Sequence, residues 1–226
     1  ARLRLGLTEP KDTTLFFEPK PMALSAFIQQ APFVFIALHG GPGEDGTLQK
    51  MLEKANIPFN GSNSQVSNIC MDKWETARQV HTFHLPHVTT IANETLSTQA
   101  LLAKTPRELE QYFKHLAKQL GTRSLIVKPR ADGCSTGIIP ILHADHLKTY
   151  TELLKLNARF IPKNTFPHQS EVIEMPLKRP EHLLFERYIA TDMLKVHGLQ
   201  IQHRRKSGWV EMTIGVVRQH GKIHAL

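Results

Sequence analysis

The most constraining feature of the sequence is a loop containing two glycines between two short apolar runs, LIVKPRADGCSTGIIPIL (125–142). Residues 125–127 are apolar and rich in β-branched side chains, which predicts a buried strand. Pro129 lacks a backbone donor, so we expect strand pairing to stop there. Residues 138–142 predict a second strand. The loop at 133–137 therefore joins two strands rather than a strand and a helix.

A loop of this kind can bind phosphate. Its backbone N–H groups and hydroxyls can close around phosphate oxygens while Lys128 supplies positive charge. A Walker loop would read GxxxxGK[ST] and lead into a helix, and neither that pattern nor GxGxxG occurs here. The arrangement predicts a flap folded over a nucleotide. An ordinary hairpin with a permissive turn explains this stretch equally well when it is taken alone.

A second glycine-rich segment lies nearer the start of the chain. Residues 33–38 (FVFIAL) predict a buried strand that runs into HGGPGEDG (39–46), which contains four glycines. A helix is predicted from Thr47, with an apolar face formed by Leu48, Met51, Leu52 and Ala55. Residues 57–59 predict another short strand. The result is a βαβ unit with its loop where open α/β sheets bind ligands. His39 can face such a crevice, although a lone loop histidine is commonly structural.

The middle of the chain predicts mainly helices and loops that support the fold. TPRE (105–108) combines a threonine N-cap, a proline in the first turn and a glutamate three residues on, which predicts the start of a helix. Residues 65–73 and 143–156 predict two more helices. Residues 157–182 contain four prolines and little periodicity, which predicts an inserted loop.

Two later segments and one near the start predict strands. HLLFERYI (182–189) carries Glu186 near its end, followed by the apolar Tyr188 and Ile189. A strand edge with free backbone groups and apolar neighbours suits an adenine ring. WVEMTIGVV (209–217) alternates in a way that predicts a strand with Glu211 on its polar face. The alternation of leucines over residues 3–7 indicates a possible further strand.

Three histidines, His81, His84 and His87, repeat at every third residue. Pro86 would break a helix that aligned them, and no carboxylate or thiol is interleaved. A zinc site needs a tighter set of ligands. We therefore favour a structural interpretation of these histidines.

Composition narrows the classes of function. The 226 residues are 41% hydrophobic and 21% charged, as in soluble globular proteins, and the longest apolar run is too short to span a membrane. A net charge of +8 suits phosphate-bearing ligands, nucleic acid or an acidic surface. The basic cluster HRRK (203–206) is typical of a solvated loop.

Cys70 and Cys134 form no disulfide framework, which favours a reducing compartment. We expect the cytoplasm, with a plastid as the alternative.

Taken in order, these segments resemble the D-alanine–D-alanine ligases of the ATP-grasp superfamily, in a longer variety of that family. The resemblance rests on FIALHGGPGEDGTLQKMLE (35–53), IPFNGS (57–62), NICMDK (68–73), LIVKPRADGCSTGI (125–138), LLFERYI (183–189) and WVEMTIGVV (209–217). It implies an α/β fold in which the remnant of a Rossmann-like βαβ domain precedes an ATP-grasp fold that lacks its C-terminal part. The implied divisions are a substrate-side domain (1–72), a first ATP-grasp subdomain with the glycine flap (73–182) and the start of a second (183–226).

The resemblance also implies roles for individual residues. Lys73 and Lys128 would hold the ATP phosphates, and the adenine and ribose would contact Glu186, Tyr188, Ile189 and Glu211. In this scheme Glu186 accepts from the adenine amino group, Tyr188 and Ile189 line the adenine slot, and Glu211 holds the ribose hydroxyls. The flap over the phosphates would consist of Gly133, Cys134, Ser135, Thr136 and Gly137. The candidate catalytic residues are His39 and Glu44, which would orient the substrate carboxylate, together with Ser135.

The implied reaction is the ATP-dependent ligation of two D-alanines through an acyl phosphate, for peptidoglycan precursors of the cell wall. ATP and Mg²⁺ are the implied cofactors. The metal ligands are expected beyond Leu226, so we assign none here and expect this chain to be inactive by itself. Most members have two serines where this chain has Cys134 and Ser135, and a thiol is the weaker hydrogen-bonding group.

Other functions stay open at this stage. The chain could act on another pair of amino acids or carboxylates, or serve as a non-catalytic nucleotide-binding module. Binding of nucleic acid is a more distant alternative. We expect small-molecule partners, with no nucleic acid and no membrane, and a homodimer is compatible with the sequence.

Overall fold

The computed structural model describes residues 21–167, 169–192, 194–197, 200–203, 206–212, 215–219 and 221–225. The possible strand over residues 3–7 lies outside these described residues. The chain divides into two compact units, Ala1–Asn68 and Ile69–Leu226. The divisions expected after residues 72 and 182 concern the longer family fold and stay predictions.

The described part of the first unit has a small apolar core built on its helices. These are α1 (Leu24–Gln30), a 3₁₀ helix (Gly41–Gly43), α2 (Thr47–Lys54) and the beginning of α3 (Ser64–Met71). The core contains Ile28, Val34, Leu48 and Leu52. The helix predicted from Thr47 is confirmed. Of its predicted apolar face, Leu48 and Leu52 are buried, whereas Met51 and Ala55 are exposed.

The buried strand predicted over residues 33–38 is wrong. Within this run only Val34 forms a β-bridge, parallel to Phe59, so the predicted βαβ unit is reduced to a single bridge between the segments that flank α2. Phe33, Phe35 and Leu38 are 51%, 72% and 57% exposed. An apolar run shows that burial would be favourable, but a strand also needs a hydrogen-bonded neighbour along its length, and here that neighbour is one residue long.

The second unit contains the remaining helices and all the strands found within the described residues. Its elements are α4 (Lys73–Thr82), β1 (Asn93–Ser97), α5 (Thr98–Leu102), α6 (Pro106–Gln119), β2 (Leu125–Pro129), β3 (Ile139–Ile141), α7 (Ala144–Lys155), β4 (Phe160–Ile161), β5 (Ile173–Glu174), β6 (His182–Arg187), β7 (Leu194–His197), β8 (Gln200–His203), β9 (Val216–Gln219) and β10 (Lys222–Ala225). None of the helices within the described ranges is long and apolar enough to cross a bilayer.

An antiparallel sheet in the order β1-β6-β2-β3 organises this unit. Successive side chains of a strand point to opposite faces, so each strand supplies alternate residues to the core. The core side includes Leu125 and Val127 of β2 and Leu183 and Phe185 of β6, with leucines of α6 and α7 packed against them. Although β6 comes late in the chain, it lies between β1 and β2.

Several local predictions hold in this unit and three do not. The capping box at Thr105 and Glu108 begins α6 as predicted. Pairing continues through Pro129, which lies opposite Leu183, so the expected stop at the proline is wrong. The helix predicted over 65–73 is divided at Asp72, which ends α3 and caps α4. Residues 209–212 form no strand, and β9 begins only at Val216.

Candidate functional site

The side of the sheet opposite the core carries a buried ion pair. Lys128 of β2 and Glu186 of β6 lie on this side, which we call the open face, together with Ile126 and Leu184. Ile126 is directly opposite Glu186, so Lys128 is the diagonal neighbour of the glutamate. The Lys128 Nζ and Glu186 Oε2 atoms are 2.5 Å apart, and the two side chains are only 19% and 11% exposed.

Two neighbouring cavities open around this ion pair. One has a volume of about 710 Å³ and is bordered by Glu186, Tyr188 and Ile189. The other, of about 660 Å³, is bordered by the loop residues Cys134, Ser135 and Thr136. Lys128, Ile126 and Glu211 border both. Both volumes fall in the range of about 300–1,000 Å³ that is usual for small-molecule sites.

The larger cavity has an apolar wall with an acidic group beside it. Tyr188 and Ile189 are half-buried just beyond β6, where the Tyr188 N–H donates to the Ser124 carbonyl at 3.0 Å. Ile91 also lines this cavity. An apolar slot beside a carboxylate can accommodate a flat heteroaromatic ring that carries an amino group, because the carboxylate accepts from that group.

The conformation of the glycine loop is fixed by hydrogen bonds to Asp132, the residue that precedes it. The Asp132 carboxylate accepts from the Gly133 N–H at 2.8 Å and from the Thr136 hydroxyl at 3.0 Å. Cys134 and Ser135 are both exposed and have φ angles of 54° and 56°. Two successive non-glycine residues in the left-handed region carry backbone strain of a kind that is often found at functional sites.

Glycine is required at position 137, where the loop rejoins the sheet. Gly137 has a φ of +64°, and a Cβ there would lie 3.1 Å from Pro176 Cδ and 3.2 Å from Pro129 Cγ. The Gly137 N–H donates to the Glu174 carbonyl at 2.8 Å. The loop is therefore fixed at both ends while Cys134 and Ser135 line the cavity.

Lys73 brings a second ammonium group to the glycine loop. Its Nζ donates to the Asp132 carbonyl at 2.6 Å. Burial lowers the pKa of Lys73, and the nearby Lys128 lowers it further, against the carboxylates of Asp132, Glu186 and Asp72, which raise it. Among the described residues no carboxylate forms an ion pair with Lys73. A half-buried cation beside a second lysine is a favourable place for an anion.

Sequence reasoning missed the residues that support Lys73. Asp72 caps α4 by accepting from the N–H groups of Trp74 and Glu75, at 3.0 and 3.1 Å. Its carboxylate also binds Arg130, which is 58 positions away in the chain. Asp72 precedes a helix in a way that a capping rule could have found. Arg130 carries no such local signal.

The candidate residues of the first unit form a separate pair. The His39 Nδ1 and Glu44 Oε1 atoms are 3.3 Å apart, and the Gly40 N–H donates to Glu44 Oε2 at 2.8 Å. The His39 side chain is 85% exposed. Glu44 can therefore hold the imidazole ring from one side while the rest of the ring faces solvent. The roles of His39, Glu44 and Ser135 in catalysis stay predictions.

Comparisons with known proteins show which proteins this chain is similar to. A family model described as the D-ala D-ala ligase N-terminus matches residues 8–62. The D-alanine–D-alanine ligase of Nitrosospira multiformis is 33% identical over 156 residues, which are 64% of this chain and 45% of that protein. The ligase of an Azoarcus species is 36% identical over 124 residues, which are 53% and 34% of the two chains. This chain thus spans less than half the length of these curated relatives.

Solved structures show the same fold. The D-alanine–D-alanine ligase of Bacillus anthracis has a TM-score of 0.53 and 19% identity, covering 90% of this chain and 70% of that one. The ligase of Coxiella burnetii has a TM-score of 0.52 and 24% identity, covering 72% and 39%. The expected α/β fold class and the resemblance drawn from the sequence motifs are both confirmed, although the βαβ unit expected in the first unit is not formed.

Proposed function

We propose that this chain, which is similar in sequence and fold to part of the D-alanine–D-alanine ligases, binds ATP on the open face of its sheet and contributes to the ATP-dependent joining of two D-alanines. The observation that carries the proposal is the ion pair of Lys128 and Glu186 between two cavities, with Lys73 at the neighbouring loop. This site combines an apolar slot, an acceptor and two ammonium groups within one small region.

The described groups suit different parts of ATP. The slot beside Tyr188 and Ile189 fits the adenine ring, and Glu186 can accept from its amino group while also holding Lys128. Glu211 borders both cavities, where a carboxylate can accept from ribose hydroxyls. This assignment places the phosphates towards the glycine loop.

Two lysines and the loop would then act on the phosphates. Lys73 lacks a carboxylate partner among the described residues, so a phosphate can neutralise it without breaking an ion pair. Lys128 remains next to Glu186 and supplies charge from the sheet. In phosphoryl transfer a protein acts mainly by positioning the groups and neutralising charge, which these residues can do without covalent chemistry.

The proposed reaction joins two substrates through an activated carboxylate. The carboxylate of one D-alanine attacks the γ-phosphorus, ADP leaves, and the amine of the second D-alanine displaces phosphate from the acyl phosphate. We assign His39 and Glu44 to orienting the first carboxylate and Ser135 to the phosphate side. We also propose that this ligation supplies peptidoglycan precursors in a bacterial cytoplasm, which the similarity to ligases of bacteria supports. A homodimer is part of the same proposal.

Mg²⁺ fits the reaction but not the described residues. Within the described ranges, no group of three or more His, Cys, Asp or Glu side chains is arranged to hold a metal ion. The steps proposed above therefore use no metal ion held by the described residues. The ion would supply charge neutralisation at the phosphates, as it commonly does in phosphoryl transfer.

The first test is ATP binding by variants of the two lysines, measured by calorimetry. We expect Lys128→Ala and Lys73→Ala to abolish measurable binding in chains whose circular dichroism is unchanged. Lys73→Ala is the cleaner variant because it leaves no buried carboxylate without its partner. Lys114→Ala is the matched control, since Lys114 forms an exposed pair with Glu110 at 2.6 Å on α6. Unchanged affinity in folded Lys73 and Lys128 variants would contradict the phosphate assignment.

The second test is D-alanine-dependent phosphate release from Mg-ATP by the complete protein. Release with D-alanine supports the ligase. Release only with other amino acids would retain the ATP site and change the substrate pair. Bound ATP with no release under any condition would favour a non-catalytic nucleotide-binding module.

A further inference from the structure

Arg130 and Asp72 form a bidentate ion pair where β2 ends and α4 begins. The Arg130 Nε lies 2.9 and 2.8 Å from the two Asp72 carboxylate oxygens, and Nη2 lies 2.7 Å from Oδ2. The side chains are 23% and 20% exposed. Planar, two-point pairing of this kind fixes orientation as well as distance.

The backbone is joined at the same place. Asp72 and Ala131 form an antiparallel bridge, and the Lys73 N–H donates to the Arg130 carbonyl at 3.0 Å. The Asp72 carboxylate also caps α4 through the N–H groups of Trp74 and Glu75. One carboxylate thus ties the first turn of a helix to the end of a strand 58 residues away.

Both proposed phosphate-binding elements start from this junction. Lys73 directly follows Asp72, and Asp132 is two residues beyond Arg130. The Lys73 ammonium reaches the Asp132 carbonyl at 2.6 Å, while the Asp132 carboxylate holds the Gly133 N–H and the Thr136 hydroxyl. A shift of α4 against β2 would therefore move the ammonium away from the loop.

We propose that the Asp72–Arg130 pair is a positioning clamp, which holds Lys73 against the glycine loop so that both can bind the phosphates of one ligand. The two residues act through Lys73 and the loop and need not touch the ligand themselves. The inference rests on the proposed ATP site, and it adds two residues to which neither the sequence motifs nor the comparisons give a role.

Arg130 also stacks on Trp74. Arg78 stacks on the same ring and therefore provides a matched control. The Arg130 Cζ lies 4.6 Å from the centre of the Trp74 ring, and the Cζ of Arg78 lies at the same distance from that ring. Arg78 is 61% exposed, and its ion pair is with Glu75 at 3.6 Å. Removing Arg78 tests the loss of a stacked arginine without loss of the clamp.

The clamp variants are Arg130→Gln, Asp72→Ser and the double variant, with Arg78→Gln as the control. Serine at position 72 retains a helix cap but is too short to reach Arg130. We expect each clamp variant to weaken ATP binding about tenfold or more, and the double variant to be no worse than either single one, because the pair acts as one unit. Adenosine affinity should stay within about twofold, since adenosine carries no phosphate. Arg130→Lys should restore part of the loss, because it keeps the charge but not the two-point geometry.

A second readout does not depend on nucleotide. The Lys73 ammonium can be followed by NMR after reductive methylation with ¹³C-formaldehyde. In the clamp variants its pKa should rise towards the ordinary lysine value as the side chain leaves its half-buried place beside Lys128, and in Arg78→Gln it should not.

The outcomes separate the two proposals. Folded clamp variants with unchanged ATP affinity and an unchanged Lys73 titration would overturn the clamp. Equal losses for ATP and adenosine would also overturn it, because they would show a general change in the fold. A wild-type protein that binds no ATP, but whose Lys73 titration shifts in the clamp variants, would retain the clamp and refute the proposed function.

Discussion

The two sides of the four-stranded sheet are built from the same strands, but one side forms the apolar core and the other carries the candidate binding residues. On the core side Leu125, Val127, Leu183 and Phe185 are fully buried. On the open face the intervening positions of β2 and β6 carry Lys128 and Glu186. Because side chains alternate, Ile126 and Leu184 each lie between two core residues of their own strand, and Lys128 and Glu186 each directly follow one. The candidate site is thus built on strands whose other side is packed in the core, and precise placement of functional groups requires such support.

The energetics of the two sides also differ. Burial of apolar area on the core side stabilises the fold by roughly 25 cal/mol per Å². The open-face ion pair must first lose the hydration of both charges, and a buried pair of this kind contributes little net stability. The comparison predicts that changes on the core side affect folding and that changes on the open face affect binding.

The largest effect is expected for Phe185→Ala. Phe185 is 0% exposed and packs edge-to-face on Tyr112 with ring centroids 5.7 Å apart. Its removal should lower the free energy of unfolding by about 3–5 kcal/mol. Urea denaturation measures this, with Phe160→Ala as the control because Phe160 is 57% exposed. Equal losses for the two variants would show that the core side is not the main source of stability.

A smaller change in stability, with a complete loss of binding, is expected for the double variant Lys128→Met/Glu186→Leu. Apolar replacement of a buried ion pair is often neutral or stabilising by about 1–4 kcal/mol. ATP binding should nevertheless disappear, because the phosphate charge and the adenine acceptor are both removed. A variant that unfolds would mean that the ion pair supports the sheet.

For Asp72→Asn we expect a moderate change in stability that depends on pH. Burial raises the pKa of Asp72, but hydrogen bonds from Arg130 and from the N–H groups of Glu75 and Trp74 outweigh this, so the folded-state pKa lies below its usual value. The stability that Asp72 contributes is therefore present above the unfolded-state pKa of about 3.9 and is lost as the pH falls through the folded-state value. Asp72→Asn keeps a helix cap and removes this titration.

The wild type should lose more stability than Asp72→Asn between about pH 5 and pH 3. Parallel urea denaturation across that range measures the difference. Other carboxylates titrate in both proteins, so their contributions cancel in the comparison. Identical slopes would indicate that Asp72 keeps its ordinary pKa and that Arg130 does not stabilise its charge.

The smallest effect is expected for Cys134→Ser in the complete protein. Cys134 is exposed in the loop, and serine is the stronger hydrogen-bonding group that the sequence resemblance predicts at this position. Phosphate release should be unchanged or higher. A large loss of activity would show that the thiol itself is needed.

Local chemistry made a good part of this fold predictable. The capping box at Thr105 begins α6, and the apolar run from Leu125 forms β2, because both signals involve neighbouring residues. The strand predicted at 33–38 and the beginning of the one predicted at 209–217, residues 209–212, failed for a shared reason. Apolar alternation describes what a strand would bury, whereas strand formation needs a partner that the segment does not itself encode.

The sequence by itself determined the order of the motifs, the positions of the lysines and glycines, and hence the resemblance to a ligase family. Only the tertiary structure decided that β6 lies beside β2, which brings Glu186 to Lys128, and that Arg130 meets Asp72. The physical reason is separation along the chain. A pair 58 residues apart, like Arg130 and Asp72, leaves no periodic or local trace, and its contact forms only when the sheet and helices pack together.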